Sequence, residues 1–279
     1  MALYHDFLVE DREFTSYDDL KAHCRLKAPE NFNFAYDIVD RYTVTEPGKR
    51  ALVWCDDDGE EHTWTFEHIS ADSKRAAYFL ASQGIKKGDA VMMILRRRYE
   101  WWWVMMALHR IGAIAVPATD QLLQKDIEYR TNAAEIKMII SYDNPAVQSE
   151  IEKALPNSPT VKKLVTVGPS REGWIDFHAE VDKCVPEFPR PVGDAAVHSE
   201  DPMLLYFTSG TSGYPKMVLH NYLYPIGHLI TAKYWHGVQD NGLHLAVSET
   251  GWGKAVWGKL YGQWICGSAV FVYDMHSFK

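Results

Sequence analysis

The sequence predicts an α/β fold with mixed, largely parallel sheets flanked by helices. Short apolar runs alternate with helical segments from residue 70 to residue 167, which is the pattern of βαβ units. Asp56-Asp57-Asp58-Gly59 lies between two short β-prone runs and predicts one antiparallel hairpin. The 279 residues are 47% hydrophobic and 24% charged, enough to bury a large core and unlike a disordered chain.

Residues 1–40 are polar and aromatic, with helices expected at 17–25 and 34–42. Strands are expected at 51–55 and 62–65, with Thr65 able to cap the turn before Phe66. Residues 70–83 read as a helix: Ser70 as N-cap, an apolar stripe of Ala76, Ala77, Phe79 and Leu80, and Gly84 as the stop. A buried strand follows at 90–95. The helix at 99–111 is apolar nearly all round and so should be buried. Strands at 113–116, 137–141 and 163–167 alternate with helices at 124–134 and 146–154.

Pro186, Pro189 and Pro191 mark a connector. It divides the chain into an N-terminal helical segment (1–40), a first α/β subdomain (41–190) and a second, incomplete one (191–279). The second should hold strands at 204–208, 216–219, 243–247 and 268–273. Residues 220–235 should be largely helical, with Pro225 disturbing the first turn. A helical segment rich in Gly and Trp separates the last two strands.

The net charge of −8 argues against a nucleic-acid partner, which needs a basic face. Cys24, Cys55, Cys184 and Cys266 lack paired spacing and read as free thiols in a reducing compartment. Residues 1–14 carry Asp6, Glu10, Asp11 and Glu13, unlike a secretory signal or a mitochondrial presequence. The apolar run 101–118 contains His109, Arg110 and Pro117 and is too short for a comfortable membrane span. A cytoplasmic chain without a membrane span is expected.

The richest chemistry lies in Tyr206-Phe207-Thr208-Ser209-Gly210-Thr211-Ser212-Gly213-Tyr214-Pro215-Lys216. Gly210 and Gly213 let consecutive backbone N–H groups turn toward one anion. The hydroxyls of Thr208, Ser209, Thr211 and Ser212 can donate to phosphate oxygens, and Lys216 adds a mobile positive charge. A Walker A loop is excluded, because Gly213 is followed by Tyr214 and Pro215, and Met217 follows the lysine.

The string closely resembles the phosphate-binding signature of AMP-forming acyl-CoA synthetases, the adenylate-forming superfamily. Pro29-Glu30-Asn31-Phe32-Asn33-Phe34-Ala35, Trp64-Thr65-Phe66, Gly88-Asp89 and Ser248-Glu249-Thr250-Gly251-Trp252 look most like its medium-chain branch, which usually has aspartate where Glu249 stands. The resemblance implies the N-terminal part of the large domain of an adenylate-forming enzyme. It also implies ATP-dependent activation of a carboxylic (fatty) acid to an acyl-adenylate and then to acyl-CoA, with ATP, Mg²⁺ and coenzyme A. Thr208, Ser209, Gly210, Thr211, Ser212, Gly213 and Lys216 would hold the β- and γ-phosphates, Gly251 and Trp252 would border the acyl pocket, and Gln121 would contact CoA.

Family members are about twice this long. Their adenine-binding motif, Mg-binding glutamate, ribose-binding aspartate and small C-terminal domain with its catalytic lysine would follow residue 279. Neither a catalytic residue nor a metal ligand is therefore assigned, and a non-catalytic nucleotide-binding fragment or interaction module is the alternative. His220, His228, His236 and His244 recur every eight residues, but that spacing drifts off one helix face, so they read as surface and loop histidines rather than metal ligands. Arg96-Arg97-Arg98 reads as a solvated or ion-paired loop rather than a site for CoA phosphates, and Glu249 as a group the chemistry does not need.

Overall fold

Two sheets grow from the predicted strands. The computed structural model describes residues 1–208 and 213–276. Helix α1 (Tyr17–His23) starts at Ser16, whose hydroxyl accepts from the Asp19 N–H. A π-helical turn at Ala35–Asp40 leads into α2 (Arg41–Thr45). Strands β1 (Arg50–Asp56) and β2 (Glu61–Thr65) form the expected hairpin.

Helix α3 (Phe66–Ser82) is capped by Thr65, five residues earlier than a Ser70 cap would place it. The Thr65 hydroxyl accepts from the His68 N–H, and His68 Nδ1 accepts from the Thr65 N–H, a reciprocal cap. Ser70 lies inside the helix and donates to Asp40. Then come β3 (Ala90–Ile94), α4 (Glu100–Ile111), β4 (Ile114–Pro117), α5 (Gln124–Ala133), β5 (Met138–Tyr142), α6 (Pro145–Ala154) and β6 (Lys163–Val167). The short β7 (Ile175–Asp176) and α7 (Phe177–Val181) carry too few residues to show a period in sequence.

Strands β8 (Pro202–Thr208) and β9 (Lys216–Asn221) precede α8 (Tyr224–Ile230) and a π-helical turn at Thr231–Trp235. Pro225 falls in the first turn of α8, where its missing N–H breaks no helical bond. It therefore starts the helix rather than disturbing it, and residues 220 and 221 remain in β9. Strand β10 (Leu243–Leu245), helices α9 (Lys254–Gly258) and α10 (Tyr261–Ile265) and strand β11 (Ala269–Asp274) complete the series.

The larger sheet has the order β7-β6-β5-β3-β4-β8-β9, parallel except for the β8–β9 hairpin; the smaller has the order β10-β11-β1-β2. The division drawn at residue 190 from the prolines does not separate two sheets. Strand β8 pairs with β4, and β11 pairs with β1, so each sheet takes strands from both sides of that point. Hydrogen bonding to an open edge decides the neighbour, whatever the sequence separation.

Every residue of α4 is buried. Its polar side chains therefore need internal partners. Arg110 donates to both Asp40 oxygens, at 2.8 and 2.7 Å, and to Ser73. Burial alone would raise the Asp40 pKa, but the Arg110 bonds outweigh it and hold it low. Glu100 faces His178 at 2.9 Å. Trp54 on β1 donates to the Arg97 carbonyl beyond β3, tying one sheet to the other.

Two sheet edges are apolar. Met217, Val218 and Leu219 on β9 are exposed, as are Leu243 and Leu245 on β10 and Val247 beyond it. No described helix is long and apolar enough to cross a membrane.

His109 Nε2 lies 2.8 Å from the Tyr261 hydroxyl, while its Nδ1 has no partner among the described residues. Burial pushes its pKa down to about 3. The ring stays neutral in the folded chain while the unfolded chain takes up a proton near pH 6.5. The folded state therefore loses stability as pH falls below 6.5, by about 1.4 kcal/mol per pH unit from this group. Urea melts of His109→Phe and the unmodified chain between pH 7 and 5 should differ in slope by about that amount.

Candidate functional site

The β8–β9 hairpin presents the candidate phosphate loop at the carboxyl end of β8. Thr208 pairs with Lys216 across its base, and the Thr208 hydroxyl approaches the Lys216 carbonyl at 3.5 Å. Ser209, Gly210, Thr211 and Ser212 lie outside the described residues. Gly213 has a φ of 102°, a conformation that favours glycine. Lys216 is exposed and makes no ion pair among the described residues. The hairpin base thus presents the Lys216 ammonium, without an ion pair among the described residues, opposite Thr208 and three residues after Gly213.

Helix α5 adds contacts that local sequence did not reveal. The Tyr129 hydroxyl donates to the Pro215 carbonyl at 3.0 Å. Its ring stacks on Tyr214 at 4.7 Å and 16°. Arg130 lies over the Phe207 ring at 5.3 Å.

The second part of the site lies at the switch point of the larger sheet. Strand β4 flanks β3 on one side and β5 on the other, so the loops beyond their carboxyl ends diverge and open a crevice. Arg96 and Arg97 follow β3, and Thr119, Asp120 and Gln121 follow β4. With Glu249 and Trp252 they line a cavity of about 300 Å³. Gln121 and Trp252, assigned to separate ligands by the resemblance, thus share one wall of space. Arg96 has a φ of 47° and bonds the Met275 carbonyl, with Asp120 at 3.6 Å. Arg97 donates to the Val247 carbonyl, and Arg98 faces Glu100. The arginine run is therefore engaged with the protein itself.

Glu249 fixes the turn that carries Trp252. Its Oε1 accepts from the Gly251 N–H at 2.8 Å, while its Oε2 is buried without a partner among the described residues. Burial raises its pKa. Lys259, buried nearby, is pushed down to about 7 by burial and by the Arg97 charge. The Thr250 hydroxyl donates to the Arg96 carbonyl. Trp252 itself is 56% exposed, whereas Trp54, Trp101, Trp102 and Trp264 fill core.

The four evenly spaced histidines meet, though not as loose surface groups. The rings run His220–Tyr224–His228–Trp257–His236–His244, with neighbouring centroids 4.0 to 6.4 Å apart. Burial lowers each imidazole pKa, His228 to about 4. Among the described residues, no group of three or more His, Cys, Asp or Glu could hold a metal ion. Ring packing joins these histidines through contacts that their spacing alone does not specify.

Gly251 is required by space. A Cβ there would lie 2.4 Å from the Ala118 carbonyl carbon and from the Thr119 nitrogen, whereas one at Gly253 would meet nothing within 4 Å. Gly251→Ala should cost about 2 kcal/mol of stability, and Gly253→Ala should be near neutral. Urea denaturation of the two variants measures the difference.

Residues 39–278 match the AMP-binding enzyme family. The mitochondrial acyl-coenzyme A synthetase ACSM4 of Rattus norvegicus is 34% identical over 272 residues, covering 94% of this chain and 46% of its own length. The mitochondrial acyl-coenzyme A synthetase ACSM3 of Homo sapiens is 33% identical over 283 residues, covering 96% and 46%. The chain thus spans about half the length of the curated relatives it matches. A Brucella canis acyl-CoA synthetase structure superposes with a TM-score of 0.80 at 24% identity, covering 91% of this chain and 45% of that one, which shows the shared fold. The anthranilate CoA ligase AuaEII, solved with anthranoyl-AMP, gives 0.76 at 23% identity, covering 88% and 45%. The mitochondrial relatives overturn the cytoplasmic location expected from the acidic N-terminus. Matched by that family's model over most of its length, the chain belongs to the family of AMP-binding enzymes.

Proposed function

We propose that the chain supplies the phosphate-, acyl- and CoA-facing part of an AMP-forming acyl-CoA ligase. A carboxylate attacks the α-phosphate of ATP and pyrophosphate leaves. The CoA thiol then attacks the acyl carbonyl of the adenylate, and AMP leaves. Both steps bring negative or electron-rich groups together, so catalysis rests on positioning and charge shielding.

The observation that carries this reading is the hairpin base, where Lys216 has no ion pair among the described residues and Thr208 and Gly213 flank the loop. Thr208, Ser209, Gly210, Thr211, Ser212, Gly213 and Lys216 would hold the β- and γ-phosphates of ATP. Gly251 and Trp252 would border the acyl group, and Gln121 would meet CoA across the shared cavity, whose lining supports the pairing. Mg²⁺ would neutralise phosphate charge; among the described residues no group of three or more His, Cys, Asp or Glu could hold it, so the phosphates themselves would supply most of its ligands.

Titration calorimetry with Mg-ATP tests the reading. The chain should bind, and ATP at 100 times its Kd should add about 2.7 kcal/mol of stability. Lys216→Ala removes one charge-assisted contact from an exposed position and should weaken binding about tenfold or more at an unchanged melting temperature. Equal affinity in the variant would sink the phosphate role. A chain that binds ATP but neither a carboxylate nor CoA is instead a nucleotide-binding module.

A further inference from the structure

We propose that Tyr129 is a positioning residue for the phosphate loop, setting the returning limb of the hairpin so that Gly213 and Lys216 face the bound anion. The inference rests on the phosphate reading above and adds a residue outside the family signature. Strand β9 has no partner on its outer side among the described residues, and Tyr214 is 74% exposed. A limb at such an edge needs a fixed post to keep one conformation, and ordering it in advance spares that cost at binding.

Helix α5 is such a post. Its Ile127 and Thr131 are buried. The Gln124 N–H donates to Glu150 on α6, and Asn132 donates to the Asn157 carbonyl. From this anchored helix Tyr129 makes two contacts with consecutive residues of the limb, the bond to the Pro215 carbonyl and the stack on Tyr214. The same ring meets Phe207 edge-on at 6.1 Å. Phe207 and Pro215 adjoin Thr208 and Lys216, so one side chain gauges the separation of the two limbs. Beside this contact lies an open groove of about 940 Å³, lined by Glu128, Tyr129, Asn132, Gly213 and Tyr214. Without the Tyr129 contacts, the limb has room to swing into it.

The experiment is Mg-ATP calorimetry on the full chain, with melting curves for each variant. Tyr129→Phe loses the hydrogen bond and keeps the stack, so affinity should fall about fivefold. Tyr129→Leu loses both contacts and should fall further. Tyr214→Leu approaches the same contact from an exposed position that does not threaten folding, and should weaken binding about threefold. In a Lys216→Ala background the Tyr129→Phe loss should shrink below twofold, because Tyr129 acts by placing that lysine. A merely structural role would lower melting temperatures and leave the affinity of the folded protein unchanged. Unchanged affinity in both Tyr129→Phe and Tyr214→Leu, or full additivity with Lys216→Ala, overturns the proposal while the phosphate reading stands. Failure of the unmodified chain to bind Mg-ATP overturns the phosphate reading, and this proposal with it.

Discussion

Helix α4 has no solvent face, and that constraint organises the rest of the molecule. A helix buried on every side must find a partner within the protein for each charged group it carries. Arg110 draws Asp40 and Ser73 inward, Glu100 draws His178, and His109 draws Tyr261. Trp102 donates to the Lys259 carbonyl at the end of α9. These bonds reach the N-terminal segment, α3, α7 and the α9–α10 region. One helix thereby fixes elements from both ends of the chain around the same core.

That core explains why the site residues gather. Parallel strands β3, β4 and β8 end on one side of the larger sheet; Arg96 and Gln121 lie just beyond β3 and β4, and Thr208 is the last residue of β8. The Glu249–Trp252 turn comes from the other sheet and reaches this side by backbone contact. Thr250 bonds the Arg96 carbonyl, and Gly251 rests against Ala118 and Thr119. The cavity that joins Gln121 to Trp252 is a product of two sheets meeting rather than of either alone.

Much of this was legible because it is written locally. The Asp-rich turn with Gly59, the stripe of Ala76, Phe79 and Leu80, and the all-round apolar character of α4 each set an element within a few residues. The candidate phosphate loop is likewise a local string of residues. What escaped reading depends on distant partners. Thr65 rather than Ser70 caps α3, and Ser70, inside the helix, bonds Asp40 thirty positions away. The proline run looked like a boundary, yet sheet pairing crosses it. Tyr129 carries no motif, and its partner Pro215 lies 86 positions away. The histidines meet because β9, α8, β10 and α9 bring their rings together, with Trp257 as the spacer.

The apolar edges of β9 and β10 have a colloidal consequence. Among the described residues neither edge has a further strand beside it, and each carries exposed Val, Leu or Met side chains, a template for strand addition. The two edges belong to different sheets, so when one is satisfied by a neighbouring copy the other stays available. Strand addition at both edges would link copies in series, so protein concentration is the variable to which the solution behaviour of this chain would respond.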